Sequence, residues 1–180
     1  ADELAFRRGG AGAVPGAVSP AGAGVGASRC RFVTTDYCLA AIAAAVYGVH
    51  LGQEDREAAV LAAIRAAGLR LGLSSHGYFE MLRADALSPS YIAMGAVFPT
   101  TLKRMATAPQ GPGRLQAYAR LMRAYPLVAI GGIDGSKFAQ IKSSGVGSVA
   151  VVRAITGAPN PEPAARSAGP RLNSSHRWTA

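Results

Sequence analysis

Six short apolar runs punctuate the middle of the chain: Arg31–Val33, Gly48–Leu51, Leu69–Leu73, Tyr91–Met94, Leu127–Ile130 and Ser148–Val152. Each is too short for a helix and continuous rather than alternating, the pattern of strands covered on both faces. Between them, apolar positions recur at helical spacing. Residues 58–67, AAVLAAIRAA, are strong helix formers. Residues 78–87 and 113–124 read the same way, and Ser136–Ser143 is a shorter helix candidate. Strand–helix alternation at roughly 20-residue spacing predicts a parallel sheet with crossover helices. Six βα units suit a doubly wound α/β sheet, or part of a (β/α)8 barrel, which needs two more. In either, ligands sit at the carboxyl ends of the strands, so the polar residues just after each run matter most.

The pattern fades at both ends. Residues 1–28 are small and low in complexity (GGAGAVPGAVSPAGAGVGAS at their heart) and are expected to form a flexible arm. Residues 158–180 carry Pro159, Pro161, Pro163 and Pro170, and a disordered tail holding Trp178 is expected there.

Charge adds a second constraint. Nineteen Lys+Arg stand against ten Asp+Glu, a net +9, which invites a nucleic-acid reading. The distribution argues against it, because Arg7, Arg8, Arg29, Arg31, Arg153, Arg166, Arg171 and Arg177 lie in or near the ends. No basic stripe interleaved with aromatics appears, and a basic balance equally suits phosphorylated substrates. No run reaches the roughly 18 apolar residues of a membrane span. Residues 1–28 lack a signal-peptide core, and Cys30 and Cys38 make neither a disulfide framework nor a zinc site. A cytoplasmic location is expected.

The candidate chemistry follows the runs. Thr34-Thr35-Asp36-Tyr37 comes after the first, and Glu54 and Asp55 come after the second. Asp36 and Asp55, leaving neighbouring strands on one face, suit Mg²⁺, although both also suit helix N-caps. Ser74-Ser75-His76-Gly77 follows the third run, where a hydroxyl and helix-start amides make an anion site or a plain cap. FPTTLKRMATAPQG follows the fourth and offers the Thr100 and Thr101 hydroxyls and the Lys103 charge in a loop too long for a mere connector. Gly131-Gly132-Ile133 follows the fifth and lets a phosphate approach backbone amides; Val152-Arg153 closes the sixth.

The segments TTDY, YGVHLGQED, GLSSHGYFE, PSYIAMGAVFPTTLKRMATAPQG, VAIGGI and GVGSVAVVRAIT, in this order, resemble the thiamine phosphate synthase family over about residues 29–157. The resemblance implies a TIM (β/α)8 barrel domain there, with six of the eight units visible. It also implies a transferase that joins hydroxymethylpyrimidine pyrophosphate to thiazole phosphate and releases pyrophosphate. Residue by residue, it implies Mg²⁺ on Asp36 and Asp55, and the pyrimidine pyrophosphate on Ser74 and Lys103, the two residues expected to serve catalysis. Thr35 and Thr101 complete the expected substrate set. Thr100, Gly132 and Val152 would surround the thiazole phosphate, and Arg153, in place of the family's serine, is expected to bind phosphate there as well. His76 matches a histidine shared with thiazole tautomerases. Thr35, Leu102, Arg153 and Cys38 depart from the family's Asn, Thr, Ser and aromatic residue. The first two βα units, with a pyrophosphate-gripping QLRxK strand, are expected to be missing and activity to be impaired. Two other readings remain: a tautomerase-like isomerase using His76, and a non-catalytic phosphate-binding remnant.

Overall fold

A computed structural model describes residues 3–6, 31–53, 58–102 and 107–172. Two compact units divide the chain, residues 1–74 and 75–180.

The first unit is a parallel sheet with its strands in chain order: β1 (Glu3–Phe6), β2 (Arg31–Thr35), β3 (Gly48–Leu51) and β4 (Arg70–Ser75, whose last residue opens the second unit). Helix α1 (Cys38–Ala43) links β2 to β3, and α2 (Ala58–Ala66) links β3 to β4. The helix of residues 58–67 forms as its Ala-rich composition expects, with Leu61 and Ile64 buried. It ends in a Schellman turn: Leu69 N–H donates to Ile64 O and Gly68 N–H to Arg65 O, with Gly68 at φ +69°. A side chain there would be strained, so the glycine fixes where the chain re-enters β4. Val33, Val49, Leu51, Leu71 and Leu73 make the core.

The second unit continues the alternation. Helix α3 (Tyr78–Asp85) precedes β5 (Tyr91–Met94), α4 (Gly111–Leu121) precedes β6 (Leu127–Ile130), and α5 (Phe138–Ser143) precedes β7 (Ser148–Ala150). β5 pairs with β6 and β6 with β7, again in parallel. All four residues of β5 are buried, the burial that its unbroken apolar run predicts. A 3-10 turn (Gly135–Lys137) leads into α5, and α6 (Arg153–Thr156) and α7 (Pro161–Leu172) follow β7. Met81, Ile92, Met94, Leu115 and Ile141 fill this core.

Three expectations change. Strand β1 stands inside the stretch read as a flexible arm and makes seven strands among the described residues, where the apolar runs give six. Its register, Glu3 opposite Arg31 to Phe6 opposite Thr34, gives the ELAF backbone a ladder that no local pattern announces. Helix α7 stands where a disordered tail is expected. Pro161 and Pro163 fall in its first turn, where no intrahelical N–H bond is needed, and Glu162 pairs with Arg166 one turn on, at 2.8 Å. The last strand closes at Ala150, so Val152 is the N-cap position of α6 and not a strand end. Residues 7–28 of the expected arm and Trp178 lie outside the described residues.

Candidate active site

The carboxyl ends of β2, β3 and β4 gather polar side chains in the first unit. β2 ends in Thr34, which is fully buried, and Thr35, and Asp36 follows it. The Asp36 amide donates to His50 O at 2.9 Å, which ties the end of β2 to β3. Asp36 sits at φ +68°, a left-handed conformation that aspartate tolerates better than most side chains. The N-cap position of α1 is Tyr37, with no side-chain cap bond, so capping does not account for Asp36. Its carboxylate oxygen Oδ1 is buried.

Ser74 behaves similarly. The N-cap of α3 is Gly77, without a side-chain cap bond, so Ser74 does not cap it. Ser74 Oγ instead lies 2.8 Å from His50 Nε2, and Ser74 O accepts from Gln53 Nε2 at 2.6 Å. Gln53 Oε1 is buried without a hydrogen-bond partner among the described residues, as is Thr34 Oγ1. His50 and Gln53 went unassigned in the sequence, although both lie inside HLGQED. Asp55 lies outside the described residues, so the expected pair with Asp36 is not seen together. Among the described residues no cluster of three or more His, Cys, Asp or Glu occurs.

In the second unit, His76 gives both its amide N–H and its Nδ1 position to Glu80 Oε2, each at 2.8 Å. His76 is thus a hydrogen-bonded, half-buried imidazole. A cavity of about 330 Å³ is lined by His76, Tyr78, Gln110, Arg114 and Tyr118 among others; among the described residues, none of the expected phosphate-binding residues lines it. Gln110 Oε1 accepts from Tyr118 Oη at 2.8 Å, and burial is the main cause that raises the Tyr118 phenol above its ordinary value.

The loop after β5 and the turn after β6 pack on each other. Val97 N–H donates to Ile130 O, and Phe98 N–H donates to Gly131 O. The loop closes where Gln110 N–H donates to Ala96 O and Gly111 N–H to Val97 O. Thr100 is half-buried, Thr101 is exposed, and Thr100 Oγ1 accepts from Leu102 N–H at 3.3 Å. Lys103 lies outside the described residues. Gly131 (φ +97°) and Gly132 (φ +63°) form the turn, and a Cβ on Gly132 would stand 2.3 Å from Pro99 O. Among the described residues the Gly132 and Ile133 amides donate to no backbone carbonyl. Val152 and Arg153 are exposed after β7.

Asp134 follows the turn. Its Oδ1 accepts from Ser136 N–H at 2.9 Å and from Ser136 Oγ at 2.5 Å, and its Oδ2 meets Lys137 Nζ at 2.8 Å. The Lys137 bond, then the Ser136 bonds, lower its carboxyl from 3.8 to about 2. A lowered carboxyl stabilises the fold above the unfolded value and loses that contribution as pH falls toward the folded one. Stability should therefore drop between about pH 4 and pH 2, and Asp134→Asn should flatten that part of the profile in melts taken across this range. An unchanged profile would mean that the contacts of this half-buried pair add nothing in solution.

The sequence profile of the family described as thiamine monophosphate synthase matches residues 21–155. A thiamine-phosphate synthase of Neisseria meningitidis serogroup B is 54% identical over 135 residues, 75% of this chain and 66% of that protein. One of Serratia proteamaculans is 52% identical over 130 residues, 72% of this chain and 61% of that protein. The chain thus spans just under two thirds of the length of these curated relatives. A solved thiamine phosphate pyrophosphorylase from Pyrococcus furiosus superposes with a TM-score of 0.80 at 25% identity, over 94% of this chain and 82% of that one. A solved 3-hexulose-6-phosphate synthase shares the fold alone, at a TM-score of 0.68 and 17% identity over 96% and 87% of the two chains. The fold class is the expected one: α/β of the TIM-barrel type, its βα units running from β2 onward.

Proposed function

We propose, since the chain belongs to the thiamine monophosphate synthase family, that it is a transferase joining hydroxymethylpyrimidine pyrophosphate to thiazole phosphate. The methylene C–O bond of the pyrimidine breaks, pyrophosphate leaves, and the thiazole nitrogen takes its place to give thiamine phosphate. The observation that carries this reading is 54% identity to the Neisseria synthase over 135 residues of this chain. We take residues 29–157 as the catalytic domain, close to the matched span 21–155, acting on small phosphorylated substrates in the cytoplasm. Among the described residues no helix is long and apolar enough to cross a membrane.

Oxygen donors dominate the strand ends of the first unit: the Asp36 carboxylate and the buried, unpartnered amide oxygen of Gln53. Such a set fits a hard cation. Asp36 and Asp55 would hold Mg²⁺, which when bound neutralises charge on the leaving pyrophosphate. The other roles fall to the chain itself. Ser74 Oγ, oriented by His50 Nε2, donates to the pyrimidine pyrophosphate, and Thr35, at the end of β2, contributes its hydroxyl. Lys103 supplies a cation to the departing oxygens. Thr100, Thr101, Val152, Arg153 and the amides of Gly132 and Ile133 receive the thiazole phosphate. Arg153, standing where the family has serine, adds a charge-assisted bond there. No protein nucleophile is required, because the electron-rich aminopyrimidine stabilises the cation formed as the C–O bond breaks.

The test is pyrophosphate release by the 180-residue chain given both substrates, with and without Mg²⁺, with thiazole phosphate binding measured in parallel. Release that needs both substrates and Mg²⁺ is expected. Absence of release together with absence of thiazole phosphate binding would overturn the reading.

A further inference from the structure

We infer that Lys137 is a positioning residue that holds the Gly131–Gly132 turn in its phosphate-binding form. The inference rests on the reading of that turn as the thiazole-phosphate site. An ammonium has three N–H donors. Lys137 directs one to Gly132 O at 2.8 Å and one to Asp134 Oδ2 at 2.8 Å. The Phe98 ring lies beneath the nitrogen, 5.2 Å from it. Two of the three donors are thus committed to the Gly132 carbonyl and to Asp134, and through them the lysine steadies the turn. It acts through the peptide it grips.

The two glycine carbonyls are anchored on opposite counts. Gly131 O is held by Phe98 N–H, and Gly132 O by Lys137. A trans peptide points its N–H opposite to its C=O. Fixing the first carbonyl turns the Gly132 N–H away from Phe98, and fixing the second turns the Ile133 N–H away from the ammonium. These are the amides that donate to no backbone carbonyl among the described residues. Two adjacent glycines have broad conformational freedom, so without the ammonium the Gly132–Ile133 peptide can rotate and withdraw a donor. Phe98 and Pro99 precede Thr100, so the clamp also joins the β6 turn to the loop carrying the threonine hydroxyls.

The test compares the full chain with Lys137→Met and Lys137→Arg, using inorganic phosphate as the probe and the Gly132 and Ile133 amide resonances as the readout. Phosphate should shift both resonances. Lys137→Met should weaken phosphate binding about tenfold, the scale of lost supporting contacts around a site. Lys137→Arg, which keeps the charge, should stay within about threefold. In turnover the loss should appear in KM for thiazole phosphate, with KM for the pyrimidine pyrophosphate moved far less. Equal phosphate affinity in the Met variant, or an equal rise in both KM values, overturns the inference. If phosphate leaves both resonances of the unsubstituted chain unmoved, the phosphate site itself fails. The clamp is then decided by amide exchange: at least tenfold faster exchange at Gly132 and Ile133 in Lys137→Met upholds it, and unchanged exchange overturns it. Should the Met variant not fold, Lys137→Gln takes its place with the same expectations.

Discussion

Replacing Gly132 by alanine is expected to destabilise the protein by about 2–5 kcal/mol and to abolish phosphate binding at the turn. At φ +63° a Cβ costs roughly 1–2 kcal/mol in backbone strain. That Cβ would also lie 2.3 Å from Pro99 O and 2.8 Å from Phe98 O, both backbone atoms that cannot swing aside. Overpacking of this kind adds roughly 1–3 kcal/mol. Urea unfolding of the variant measures the sum. Gly113→Ala is the control: its Cβ meets nothing within 4 Å and lies in helix α4, so it should be neutral or stabilise by about 0.5–1 kcal/mol. If Gly132→Ala proves as stable as that control, the close approach of turn and loop is not maintained in solution.

Asp36→Asn should lower Mg²⁺-dependent turnover by roughly 10²–10³-fold, the rate equivalent of about 2.7–4 kcal/mol. Asparagine is chosen because it also tolerates the left-handed backbone at this position. It keeps the shape and removes the charge. Melting temperature should therefore barely change while turnover collapses, and raising the Mg²⁺ concentration should recover part of the loss. Turnover within threefold of the unsubstituted chain would remove Asp36 from the metal site.

Much of this fold is legible in the sequence because parallel strands covered on both faces are plain apolar runs. Tyr91–Met94 and Leu127–Ile130 are found with the bounds the pattern gives. β1 was not legible. ELAF has neither a long apolar run nor a turn signal, and its pairing partner stands at Arg31–Thr34, far along the chain. Helix α7 was hidden by its prolines: Pro161 and Pro163 fall in the first turn, where a helix tolerates them, and Pro170 stands only in the last turn. At the site, the residue types after each strand pointed to Asp36, Ser74, Thr100 and Gly132. They gave no sign of Gln53 and His50, which meet Ser74 through hydrogen bonds that no local pattern announces. They missed Lys137 for a similar reason: a lysine near Asp134 reads as surface charge until its bond to Gly132 O is seen.

The chain-order pairing of the strands has a kinetic meaning. Within each unit, each strand pairs with the next strand of the chain, so every ladder there closes over a span of 15 to 35 positions. Val33 meets Gly48 after 15 positions and Gly48 meets Arg70 after 22, whereas Glu3 meets Arg31 after 28 and Ile92 meets Leu127 after 35. Loop-closure entropy grows only as the logarithm of these spans, so the longest costs roughly 0.8 kcal/mol more than the shortest. Ordering a nascent chain strand by strand therefore meets nearly equal barriers throughout, and the long segment that bears Thr100, Thr101 and Lys103 adds little to them. A loop can be enlarged for binding phosphates at small expense to the rate at which its flanking strands come together.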